Sequence, residues 1–154
     1  MKKNSGFTLI ELLIVIAIIA ILAVVVFVSL DPVTRFKNAR DARRRADTQS
    51  ILTAVHQYIV DNNGTLPSGI TTSDLQLGTA GSGCTVSTGG CSVATASCLD
   101  LSTLLAKYLK SVPIDPSLAS TSTKTNYSVV KDSNNIVTVK ACGTEGTTNI
   151  SVSR

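Results

Sequence analysis

Tryptophan is absent from this 154-residue chain, and other residues that often build catalytic sites or aromatic cores are scarce: one His, one Met, three Phe and three Tyr. Aromatics make up 4% of the sequence and charged residues 16%, against 44% hydrophobic, so the apolar content is aliphatic. The lone His56, with no other ligand type near it in sequence, reads as a packing or surface residue. No carboxylate pair and no base beside a Ser is recognisable, so catalysis is not expected. The four cysteines lack the C-x2–4-C spacing that zinc favours, and no metal or other cofactor is expected. Gly81-Ser82-Gly83 and Gly89-Gly90 are followed by no Lys and have no strand-to-helix frame, which excludes a phosphate cradle.

The aliphatic content is concentrated at one end. Of the 24 residues from Phe7 to Leu30, only Thr8, Glu11 and Ser29 are not apolar. The rest of the chain is about 36% hydrophobic, lean for a globular core. A 24-residue helix reaches about 36 Å, more than the roughly 30 Å hydrocarbon layer of a bilayer. The run is longer than the h-region of a secretory signal peptide, and no A-x-A-like site follows it, so the segment is expected to be retained. Lys2 and Lys3 precede it and favour a cytoplasmic N-terminus. Arg35, Lys37, Arg40, Arg43, Arg44 and Arg45 on the other flank argue the reverse by the same rule. Cys84, Cys91, Cys98 and Cys142, an even number in a small polar region, favour an oxidising, extracytoplasmic C-terminal part.

Glu11 is unexplained by a plain anchor, because a carboxylate within an apolar span costs about 2.5–3.5 kcal/mol on insertion scales. Two readings are open. Glu11 can snorkel and interact with the positive end of its own helix. Alternatively, a cut between Gly6 and Phe7 creates an amine in one copy that pairs with Glu11 of a neighbour and sets the axial register of an assembly.

The basic leader Met1–Gly6, then Phe7-Thr8-Leu9-Ile10-Glu11 and unbroken aliphatics to Ala23, resembles the class III signal of type IV prepilins and type II secretion pseudopilins. The resemblance implies cleavage after Gly6 by a prepilin peptidase, N-methylation of Phe7, and Glu11 as the assembly carboxylate. It further implies an inner-membrane single-pass precursor with its head outside, and then a surface filament, a homopolymer of the chain. An inner-membrane assembly platform, minor pilins and membrane lipid are the implied partners. The alternative within the resemblance is a pseudopilin of a secretion or competence system; outside it, a non-assembling bitopic anchor. Many pilins carry a Pro within the apolar helix, whereas here the first is Pro32.

The expected fold is α+β: a leader over 1–6, an assembly helix over 7–30, an amphipathic helix over 31–63 and a head over 64–154. Phe36, Ala39, Ala42, Ala46, Ile51, Leu52, Val55, Tyr58 and Ile59 recur near helical spacing, with Asp31 a candidate N-cap and Asp61-Asn62-Asn63-Gly64 a stop. The block Arg40–Asp47 is open to subunit or intrachain pairing, including Asp41 with Arg44 or Arg45, to a solvated face, or to lipid or nucleic acid. No aromatics interleave with its arginines, and no specific nucleic-acid partner is expected. Residues 64–98 hold 7 Gly and 13 Ser or Thr and read as loop. A short helix is expected over 99–110 and an antiparallel sheet over 126–153, with Asp132–Asn135 turning a hairpin. The preferred disulfide pairing is Cys98–Cys142 with Cys84–Cys91. Val112-Pro113-Ile114-Asp115-Pro116 resembles a short segment preceding the sheet in many pseudopilins and some pilins.

Overall fold

The computed structural model describes residues 6–117, 119–146 and 148–154. The chain divides into two compact units, Met1–Phe36 and Lys37–Arg154. The leader expected over 1–6 lies outside the described residues except for Gly6.

In the first unit the aliphatic run forms α1 (Leu9–Leu30), 22 residues with Thr8 as its N-cap. Its length of about 33 Å matches a hydrocarbon layer. The helix stops at Asp31, whose φ of 37° is left-handed. A residue before proline is disfavoured in the right-handed helical region, which accounts for the break. Pro32 then opens α2 (Pro32–Asp61), where its missing N–H costs nothing. The expected cap is present: Asp31 Oδ2 accepts from the Thr34 hydroxyl at 2.6 Å, and the Asp31 carbonyl accepts from the Arg35 N–H.

The second unit contains the rest of α2 and a four-stranded antiparallel sheet. Its strands are β1 (Leu75–Gln76), β2 (Tyr127–Lys131), β3 (Val137–Ala141) and β4 (Ile150–Ser153), adjacent in that order. In β3, Val137, Val139 and Ala141 point inward and Thr138 and Lys140 outward, as the alternation predicts. Ile51, Leu52, Ala54 and Val55 of α2 join these residues, with Tyr127, Val129, Leu77, Leu101 and Leu105, in one buried cluster. Helix α2 ends in a Schellman turn: Asn63 and Gly64 have φ of 54° and 84°, and the Gly64 N–H donates to the Ile59 carbonyl. The expected hairpin loop is held by Asp132, whose Oδ1 accepts from the N–H groups of Asn134 and Ile136.

Three expectations are corrected. Residues 99–110 form a succession of turns, not a helix. Leu105 bonds back to Leu101 and Leu109 to Leu105, but the intervening ladder is not made, and Asp100 takes the Ser102 N–H. Leu101 and Leu105 still enter the core, because burial requires their spacing and not a full helix. Residues 64–98 are not all loop: Leu75–Gln76 pairs along Ser128–Val129, and Val86 bridges Val93. The disulfides are Cys84–Cys98 and Cys91–Cys142, with Cα separations of 5.3 and 5.4 Å, in place of Cys98–Cys142 and Cys84–Cys91. The Val86–Val93 bridge and the Cys84 N–H bond to the Ala96 carbonyl fold 84–98 back on itself, bringing its ends together. Cys98 is thereby held near β1, which β2 separates from β3. Cys91 sits near the tip, beside Gly89 at φ 60°, where a Cβ would come within 2.6 Å of the Ala141 and Cys142 carbonyls. Only glycine permits that approach, which delivers Cys91 to Cys142.

Candidate assembly site on the N-terminal helix

Gly6, Phe7 and Thr8 precede the first helical residue, so the Gly6–Phe7 peptide bond lies outside the helical hydrogen-bond ladder. Phe7 is 86% exposed, and a Cβ built on Gly6 meets nothing within 4 Å. The residues on either side of that bond are exposed. Immediately after it, Thr8 and Glu11 form a reciprocal capping box. The Glu11 carboxylate accepts from the Thr8 N–H and hydroxyl, both at 2.8 Å, while the Glu11 N–H donates to Thr8 Oγ1 at 3.3 Å. Glu11 thus engages the start of its own helix, the first of its two sequence readings. The signal for the box in sequence is the Thr-x-x-Glu spacing of Thr8 and Glu11.

Beyond the box, α1 is apolar all round, and its described side chains are exposed. Its large apolar side chains from Leu9 to Val28 are between 49% and 82% exposed. It is long and apolar enough to cross a membrane. A helix with no polar face is satisfied by lipid or by other apolar helices, and not by water.

The basic block of α2 is a different kind of site. Arg40, Arg44 and Arg43 pair within the chain. Arg44 is fully buried; its Nε and Nη2 donate to both Asp115 oxygens at 2.6 and 2.9 Å, and its Nη1 to Asp41 at 2.8 Å. Arg40 Nε donates to Glu145 at 2.7 Å, and Asp41 accepts the N–H groups of Glu145 and Gly146. Arg43 approaches Asp47 at 3.7 Å, and Asp47 also accepts the buried Tyr127 hydroxyl. Of the two spacings foreseen for Asp41, the pairing is with Arg44. Burial raises the Asp115 and Asp41 carboxyls, but hydrogen bonds from Arg44 and from backbone N–H groups outweigh it, leaving both below their ordinary values. The Arg40 hydrogen bond likewise lowers Glu145. The proline-aspartate segment therefore supplies Asp115 as the counter-ion of a buried arginine. A signal for this was available: Asp41, Arg44 and Thr48 continue the buried stripe of Ile51, Leu52 and Val55.

Among the described residues, no group of three or more His, Cys, Asp or Glu side chains could hold a metal ion. His56 is half-buried on α2, with Nε2 sealed and unpartnered. The family model of the prokaryotic N-terminal methylation motif matches residues 1–27. Comparison with curated proteins gives no match, and comparison with solved structures gives none.

Proposed function

We propose that this protein, whose N-terminal methylation motif supports a type IV pilin or pseudopilin, is a structural subunit that polymerises into a type IV pilus-like surface filament. A prepilin peptidase cuts between Gly6 and Phe7, and the new Phe7 amine is N-methylated. The precursor waits in the inner membrane as a single-pass protein with its head outside. Assembly exchanges lipid around α1 for the α1 helices of other copies, with little hydrophobic gain or loss. Direction and register then come from charge. The Phe7 amine of one copy meets Glu11 of the next, so that neither charge enters the apolar bundle alone.

The observation that carries this reading is the exposed apolar α1 with one carboxylate three residues into it, directly behind the exposed residues Gly6 and Phe7. A tether has no need of that carboxylate. The partners of this reading are copies of the chain, the peptidase, an inner-membrane assembly platform with minor pilins, and lipid before assembly.

Intact mass of the protein in the sheared extracellular and membrane fractions of its native host tests the proposal. A sheared species that lacks Met1–Gly6 and carries one extra methyl supports the filament subunit. The same species confined to membranes selects the pseudopilin reading. An uncut chain in the membrane overturns both and leaves a simple anchor.

A further inference from the structure

The two disulfides have different neighbours, and the difference points to a coupling between head oxidation and α2. Cys142 directly follows β3 and is buried; its N–H donates to the Asn126 carbonyl and its own carbonyl accepts the Thr88 hydroxyl at 2.7 Å. The next residue, Gly143, lies so close to Asp115 that a Cβ would come 2.8 Å from Oδ2, the oxygen that accepts from Arg44 Nε. Two residues on, the Glu145 N–H donates to Asp41 Oδ1 at 3.2 Å, and the Gly146 N–H to Asp41 Oδ2 at 2.9 Å. The Glu145 carboxylate reaches Arg40 and Arg44. Four residues therefore carry the chain from a disulfide sulfur to the ion cluster.

We propose that the Cys91–Cys142 disulfide is an oxidation-dependent clamp that holds residues 143–146 on the Arg40–Arg44 stretch of α2, and that Cys84–Cys98 has no such role. The backbone N–H groups of Glu145 and Gly146 reach only Asp41 among the described residues. The Arg40–Glu145 pair is partly exposed, 39% and 22% by side chain, and a pair of that kind orders a loop weakly by itself. Fixing the loop at Cys142 reduces the freedom lost when it docks. Cys84 and Cys98 instead sit at the base of the 84–98 segment, bonded through Ala96 and Ala80 and with Cys98 Sγ 3.7 Å from Gln76 Oε1; among the described residues no hydrogen bond joins either to the ion cluster. Opening the clamp takes a dithiol: two electrons and two protons convert the Cys91–Cys142 bond to two thiols, and the dithiol closes to its own disulfide. The buried Arg44–Asp115 pair stays closed when the clamp opens.

Amide exchange at Glu145 and Gly146 in the full-length chain in detergent micelles reads the clamp directly. In Cys91→Ser/Cys142→Ser both amides exchange at least about tenfold faster, with β2 protection retained, whereas Cys84→Ser/Cys98→Ser changes them by less than about twofold. Unchanged protection without Cys91–Cys142, or an equal loss on removing either bridge, overturns the proposal. Coupling is reciprocal, so Asp41→Ala in the otherwise intact chain raises the fraction of reduced Cys91–Cys142 several-fold in a fixed dithiothreitol buffer, relative to Cys84–Cys98. This second measurement decides the matter if the first variant does not fold. No change in that ratio then overturns the clamp.

Discussion

Helix α1 has one ionisable side chain in 22 residues and, from Leu9 to Val28, buries none of its large apolar ones, while α2 has nine charged side chains in 30 and buries two of them, Asp41 and Arg44. Both helices hold a charged group by hydrogen bonds, by different means. Glu11 is satisfied within one helical turn, by Thr8, at the exposed start of α1. Arg44 is held by Asp41 one turn away and, bidentately, by Asp115 71 positions away, so that it cannot leave without unfolding part of the head. A locally capped carboxylate suits a surface that must change partners; a buried arginine with a bidentate carboxylate suits one that must not.

The comparison breaks most visibly at Glu11. Glu11→Val is expected to insert in the membrane normally and to yield no filaments in a shearing assay; filaments of normal abundance would refute the pairing role. Removing one member of the buried pair, as in Arg44→Met, leaves Asp115 charged and unpaired. We expect a loss of about 3–5 kcal/mol in denaturant unfolding of the head, substantially recovered in Arg44→Met/Asp115→Leu. Separating Cys84 from Cys98 by double Ser substitution is expected to cost about 3 kcal/mol, as for other loops of this length, measured the same way.

Acid titration probes the α2 cluster without mutation. Asp41, Asp115 and Glu145 lie below their ordinary values of 3.8, 3.8 and 4.5. The unfolded chain therefore takes up protons first as pH falls. The stability from these carboxylates is complete at neutral pH, and it is lost as pH drops below about 4 through the folded values. A midpoint of thermal unfolding that stays flat between pH 5 and 2.5 contradicts this. The smallest effect is expected at Thr8→Ala, which removes one side of the capping box. About 1 kcal/mol of helix-start stability is at stake, visible as faster amide exchange at residues 9–11 while the centre of α1 is unchanged.

Much of this molecule is legible in sequence because its signals are local. The apolar run, the Thr8-x-x-Glu11 box, the Asp31-Pro32 break, the Asn63-Gly64 stop and the alternating β3 each depend on residues a few positions apart. The Leu99–Leu109 stretch shows the limit: Leu101 and Leu105, one turn apart in spacing, are buried, yet the backbone between them forms turns. Spacing constrains where side chains go more tightly than how the chain carries them there.

The remainder depended on contacts that no local pattern encodes. Four cysteines permit three pairings, and the choice came from the Val86–Val93 bridge and from the close approach of Gly89 to the end of β3. That Arg44 is a buried ion and Arg45 an exposed one follows from which side of α2 meets Asp115. The sequence alone determined an apolar helix with one carboxylate near its start, because helix period and apolar length suffice for that. Tertiary structure decided the pairing of the sulfurs and the distant partners of Arg40 and Arg44, because those lie 14 to 105 residues apart, and only the folded sheet and loops bring them within bonding distance.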